Sequence, residues 1–132
     1  MKKSKYHYQN IFLIDDDRLF IVKYHKIFTN LLQRINVDFS MSVATALVKL
    51  EDLHARDKFP ELITLDWNLR LGNGALFLEK FKQQFANLYP NTRVLVISSM
   101  AQEIASEQQA NYPFVMDVLP KPVSMKELAQ RL

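Results

Sequence analysis

Leu62-Ile63-Thr64-Leu65-Asp66-Trp67-Asn68-Leu69-Arg70-Leu71-Gly72-Asn73-Gly74 is the stretch on which the reading of this chain turns. Leu62 to Leu65 form a short run without the polar alternation of a half-exposed strand, the pattern of a strand buried on both faces. The run stops at a carboxylate, Asp66, and passes into a loop that holds both of the chain's glycines. Beyond the loop, Ala75 to Leu88 carries Leu78, Phe81, Phe85 and Leu88 at helical spacing. A buried strand, a polar strand end and an amphipathic helix make one unit of a parallel α/β sheet.

The same unit recurs in both directions. Ile11 to Ile14, Val94 to Ile97 and Phe114 to Leu119 read as further buried strands. A weaker run, Val37 to Met41, alternates through Val37, Phe39 and Met41, as an edge strand with one face partly exposed would. Arg18 to Arg34 reads as the first helix, with Leu19, Val22 and Ile27 set against Lys23 and Lys26. Ala44 to Ala55, with Ala44, Leu47, Val48 and Leu50, reads as the second. Ala101 to Ala110 supplies a mostly polar fourth helix. Ser124 to Leu132 supplies the fifth, opened by a capping box of Ser124 and Glu127. The expected architecture is five parallel strands with helices on both faces.

Composition narrows the function classes. The chain has 132 residues, 48% of them hydrophobic, which suits one domain with one core. Cysteine is absent, excluding a disulfide framework and thiolate metal sites. No stretch approaches the ~20 apolar residues of a membrane span, and the apolar run after the N-terminal lysines is too short for a signal peptide. A cytoplasmic protein without membrane attachment is expected. The net charge of +3 owes much to Lys2, Lys3 and Lys5, in a basic N-terminal tail, residues 1–9, expected to be flexible. No basic helix or zinc-finger spacing points to direct nucleic-acid binding.

In open parallel sheets, ligands bind beyond the carboxyl ends of the strands. Here those ends are chemically coherent: Asp15, Asp16 and Asp17 after the first strand, Asp66 after the third, Ser98 and Ser99 after the fourth, and Lys121 after the fifth. Carboxylates converging on one rim raise each other's pKa unless a cation holds them, and a hard ion such as Mg2+ suits oxygen ligands. With an ion and a lysine neutralising the incoming oxygens, a carboxylate can attack a phosphoryl group. Asp66 is the candidate nucleophile. Asp17 reads better as the N-cap of the first helix than as a ligand.

Taken together, IDDD, LDWNLRLGNG, VISS and LPKP, each after an apolar strand and in this order, resemble the receiver domain of two-component response regulators. The resemblance covers Ile11 to the end of the chain, making residues 10–132 the receiver domain. It implies a flavodoxin-like doubly wound (βα)5 fold with strand order 2-1-3-4-5. It also implies a phosphoacceptor at Asp66, a Mg2+ site formed by Asp16, Asp66 and the backbone carbonyl of Asn68, and a water-mediated role for Asp15. Lys121 would pair with a phosphoryl oxygen, and Ser98 would move in to bond another. That motion would shift the α4-β5-α5 face, here residues 101–110, 114–119 and 124–132. The Lys121-Pro122 bond is expected to be cis, and Gly74 is expected where the loop needs a positive φ. The implied partners are a histidine kinase or phosphotransfer protein and a downstream protein or fused output domain. Homodimerisation through α4-β5-α5 stays open, as does a further domain beyond Leu132. The implied activity is a switch, not an enzyme acting on other substrates.

Two positions depart from the family pattern. Arg70 stands where many receivers have proline, adding a charge beside the site, and Val118 stands where a switch aromatic is common. Tyr112 and Phe114 match no switch position. His7, His25 and His54 share no spacing with carboxylates, and Trp67 reads as a partly exposed loop residue. Two rival readings remain: a receiver-fold interaction module that signals without turnover, and a metal-dependent phosphohydrolase. The second usually carries an aspartate two residues after its nucleophile, where this chain has Asn68.

Overall fold

The computed structural model describes residues 8–100 and 107–132. Its elements run β1 (Asn10–Ile14), α1 (Arg18–Leu31), β2 (Asn36–Ser40), α2 (Val43–Ala55), β3 (Leu62–Asp66), α3 (Gly74–Gln84) and β4 (Arg93–Ser98). A helix α4, described over 107–111, precedes β5 (Val115–Pro120) and α5 (Met125–Arg131). The strands pair in parallel in the order β2-β1-β3-β4-β5. This is the flavodoxin-like arrangement implied by the motifs. The expected fourth helix, Ala101 to Ala110, lies largely outside the described residues.

Strand alternation splits the core into two layers. Phe12, Ile14, Ile63, Leu65, Val94 and Val96 face α2 and α3, packing on Ala46, Leu50, Phe77, Leu78 and Phe81. Ile11, Leu13, Leu62, Leu95 and Ile97 face α1 and α5, packing on Ile21, Tyr24, Ile27, Phe28 and Leu128. Burial on both faces is why these strands read as unbroken apolar runs. At ~25 cal/mol per Å² of apolar surface removed from water, the two layers are the main stabilising term. No helix among the described residues is long and apolar enough to cross a membrane.

Several helix faces differ from the sequence reading. In α1 the buried stripe is Ile21, Tyr24, Ile27 and Phe28. Leu19 lies two residues before Ile21, about 160° round the helix, and is 79% exposed; Val22 is also exposed. The helix stops at Leu31 instead of Arg34, and Arg34 takes a left-handed φ of 58° as the chain turns toward β2. In α2, Val43, Ala46, Leu50 and Leu53 are buried, whereas Ala44 and Val48 point outward. Helix α3 ends at Gln84, before Leu88, which is exposed. Pro90 disfavours helical backbone at Tyr89, and the chain has only a few residues in which to return to β4. In the edge strand β2, Val37 packs on the α1 layer but Phe39 is exposed, with the Lys49 ammonium 4.9 Å from its ring centre.

Caps fix where the helices start. Asp17, Ser42, Asn73 and Ser124 each accept a backbone N–H of the first turn of α1, α2, α3 and α5. Ser124 and Glu127 form the expected capping box. These caps bring the strand-to-helix loops to a common rim at the carboxyl edge of the sheet.

Candidate functional site

Backbone register sets the site. Ile14 pairs with Leu65 and Asp66 with Ile97, so Asp15 and Asp66 leave adjacent central strands side by side. The Asp15 N–H donates to the Ser40 carbonyl at 3.1 Å, and the Lys121 N–H donates to the Ser98 carbonyl at 3.2 Å. These bonds extend the ladders just past the strand ends and hold Asp15 and Lys121 at the rim. The Lys121-Pro122 bond is cis.

The side chains converge. Lys121 Nζ lies 3.0 Å from Asp15 Oδ2 and 3.4 Å from Asp66 Oδ2, with both carboxylates buried. Asp16 turns to the open side, where its Oδ2 accepts the Arg70 N–H at 2.9 Å and Nε–H at 3.2 Å. One carboxylate oxygen from each of Asp15, Asp16 and Asp66 lies within 4.8 Å of the others. Asp66 Oδ1 also accepts the Asn68 N–H at 3.2 Å. Ser98 is fully buried at the end of β4, its Oγ accepting the Met100 N–H at 3.0 Å.

Asp15 is 3% exposed, and its pKa is pushed up from 3.8 to about 6. Burial is the chief cause and the neighbouring Asp66 charge adds to it, while the Asp17 N–H and the Lys121 ammonium pull the other way. The rim therefore concentrates negative charge that two basic side chains only partly satisfy. Such a set can hold a hard cation and present a carboxylate to an electrophile.

A family model for the response regulator receiver domain matches residues 11–132. The chain belongs to this family. Receivers are the phosphorylation switches of two-component signalling, acting with histidine kinases, phosphotransfer proteins and output domains. Among solved structures, a two-component response regulator from Cytophaga hutchinsonii is similar with a TM-score of 0.82 and 23% identity, over 96% of this chain and 95% of that one. A CheY-like receiver domain protein from Methanospirillum hungatei gives 0.74 at 21% identity, over 95% and 90%. The complex of CheX with CheY, BeF3 and Mg2+ from Borrelia burgdorferi gives 0.76 at 19% identity, over 93% and 85%. A search of curated proteins finds no significant match.

Within this receiver, Asp15, Asp16, Asp66 and Lys121, all singled out from the sequence, come together. Ser98 lies at the expected strand end, and Asn68 reaches Asp66 through its amide. Asp17 caps α1, as read, its Oδ1 accepting the Leu19 N–H. Gly74 requires a correction. The positive φ of 75° belongs to Gly72, whereas Gly74 opens α3 and is needed for space. A Cβ at Gly74 would stand 2.4 Å from Trp67 Cε3. The Gly74 N–H donates to the Trp67 carbonyl at 3.1 Å, closing the loop on itself.

Two contacts escaped the sequence reading. The Phe20 ring lies 4.0 Å from Lys121 Nζ, a cation–π distance. A signal existed: Phe20 is in the first turn of α1, and helical side chains lean toward the N-terminus, here toward the end of β1. The sequence places the Arg70 charge beside the site, but its pairing with Asp16, 54 positions away, had no local signal.

Proposed function

We propose that the domain is a Mg2+-dependent phosphoacceptor in which Asp66 takes a phosphoryl group from a histidine kinase or phosphotransfer protein in the cytoplasm. The observation that carries this reading is the grouping of Asp15, Asp16 and Asp66 beside the Lys121 ammonium. Three carboxylate oxygens within 4.8 Å of one another fit a hard, oxygen-seeking divalent ion. Asp16, Asp66 and the Asn68 carbonyl would hold it, with Asp15 acting through water. Bound there, Mg2+ would offset the negative charge of the phosphoryl oxygens.

The chain's own groups account for the rest. An Asp66 oxygen forms the new O–P bond while the P–N bond to the donor imidazole breaks, and the imidazole, already protonated on its other ring nitrogen, leaves with that electron pair as the neutral ring. Lys121, close to both Asp15 and Asp66, transfers one of its contacts to a phosphoryl oxygen. Ser98 releases the Met100 amide and turns its hydroxyl to another phosphoryl oxygen, drawing on the loop after β4 and shifting the α4-β5-α5 face. That face then binds a downstream protein or output domain, or a second receiver. The domain promotes only its own phosphoryl transfer and dephosphorylation.

Intact mass after incubation with acetyl phosphate and Mg2+, on wild type and Asp66→Asn in parallel, tests the reading. One adduct of ~80 Da that requires Mg2+ and is absent in the variant is expected. Failure to form it, under conditions that label another receiver, would replace this reading with a binding-only module.

A further inference from the structure

We propose that Arg70 is a positioning residue that competes with the divalent cation for Asp16, and so sets the Mg2+ concentration at which this receiver becomes phosphorylatable. The inference rests on the metal site proposed above. Both Arg70 donors, the backbone N–H at 2.9 Å and Nε–H at 3.2 Å, fall on the same atom, Asp16 Oδ2. A carboxylate oxygen has two lone pairs, so this atom is fully engaged before any ion arrives. Asp15 and Asp66 are the buried members of the three-carboxylate group and already share Lys121. Asp16 is the member nearest solvent, and the guanidinium that covers it belongs to a side chain 82% exposed.

Exposure decides how the pair behaves. A buried arginine–carboxylate pair would exclude the ion, whereas an exposed one is weak, and its stem is free to swing into water. The guanidinium therefore yields to a doubly charged ion but raises the concentration the ion needs. It also places a positive charge beside an incoming cation, which acts in the same direction. The backbone N–H stays on Asp16 when the side chain leaves, so the carboxylate keeps its orientation while it changes partners.

The test is a Mg2+ titration of wild type, Arg70→Ala and Arg70→Gln, followed by Trp67 fluorescence and by the rise in Tm. Acetyl phosphate labelling rates are measured over the same Mg2+ range. Trp67 is the chain's single tryptophan and adjoins Asp66. Both variants should bind Mg2+ at about two- to fivefold lower concentration. The half-saturating Mg2+ for labelling should fall by the same factor, with the rate at saturating Mg2+ unchanged. Equal midpoints in wild type and variants overturn the competition alone. A lower saturating rate in the variants also overturns it, because the guanidinium would then be acting on the phosphoryl group. No Mg2+ response by any readout in any of the three proteins overturns the metal site and the competition with it.

Discussion

Lys121 holds its ammonium 4.0 Å from the centre of the Phe20 ring while the same nitrogen pairs with Asp15 at 3.0 Å. The ring lies beneath a charge that the carboxylates alone would leave free to pivot. Phe20→Leu keeps the apolar bulk and removes the negative π face. Cation–π pairs that are partly desolvated contribute about 1 kcal/mol. The variant should therefore be labelled by acetyl phosphate roughly fivefold more slowly, with its Mg2+ midpoint unchanged. A shift in the Mg2+ midpoint would instead mean that Phe20 acts through the carboxylates.

Asp15 gives the metal-free protein a pH dependence of defined sign. Its carboxyl titrates near 3.8 in the unfolded chain and at about 6 in the folded one. Between those values the folded state holds a proton that the unfolded state has lost, so stability falls as pH rises through the window. The contribution is fully present below pH 3.8 and gone above about 6. Asp15→Asn does not titrate. In EDTA, its Tm relative to wild type should climb by a few degrees across this window and level off above it.

Gly74→Ala drives a methyl into the Trp67 ring, which lies against the start of α3. Overpacking of this kind costs about 1–3 kcal/mol. Urea unfolding should show that loss together with a shifted Trp67 emission. Trp67→Leu in the same chain should recover much of it, a non-additivity that a backbone cause would not give.

Ser98→Ala removes the acceptor of the Met100 N–H, at a stability cost of about 1 kcal/mol. Labelling of Asp66 should persist. What should disappear is the phosphorylation-dependent change in hydrogen exchange over β5 and α5.

The central strands β1, β3 and β4 were legible because burial on both faces leaves few polar interruptions, and the site residues because each sits where such a run stops; β5 reads as buried in sequence but is an edge strand, with Met116 and Asp117 half-buried. Helix phase was less legible. Helix α1 carries apolar residues on two sides, and periodicity alone does not say whether Leu19 or Ile21 faces the sheet; packing selects the stripe Ile21, Tyr24, Ile27 and Phe28. The same ambiguity misplaced Val48. Gly74 was rightly singled out for the wrong cause, since the need for space arises from Trp67, seven residues earlier. The Arg70–Asp16 pair joins two loops, and only the folded sheet brings those loops together.

The pairing of Ile14 with Leu65 carries a longer-range consequence. The separation of Asp15 from Asp66 is inherited from the interval between neighbouring strands, about 4.8 Å, and owes little to the loops around it. Asn68 and Arg70 lie in the loop beyond β3, so the pairing that spaces the acids does not depend on their side chains. The charge around the acids and the distance between them are thus set by separate parts of the chain.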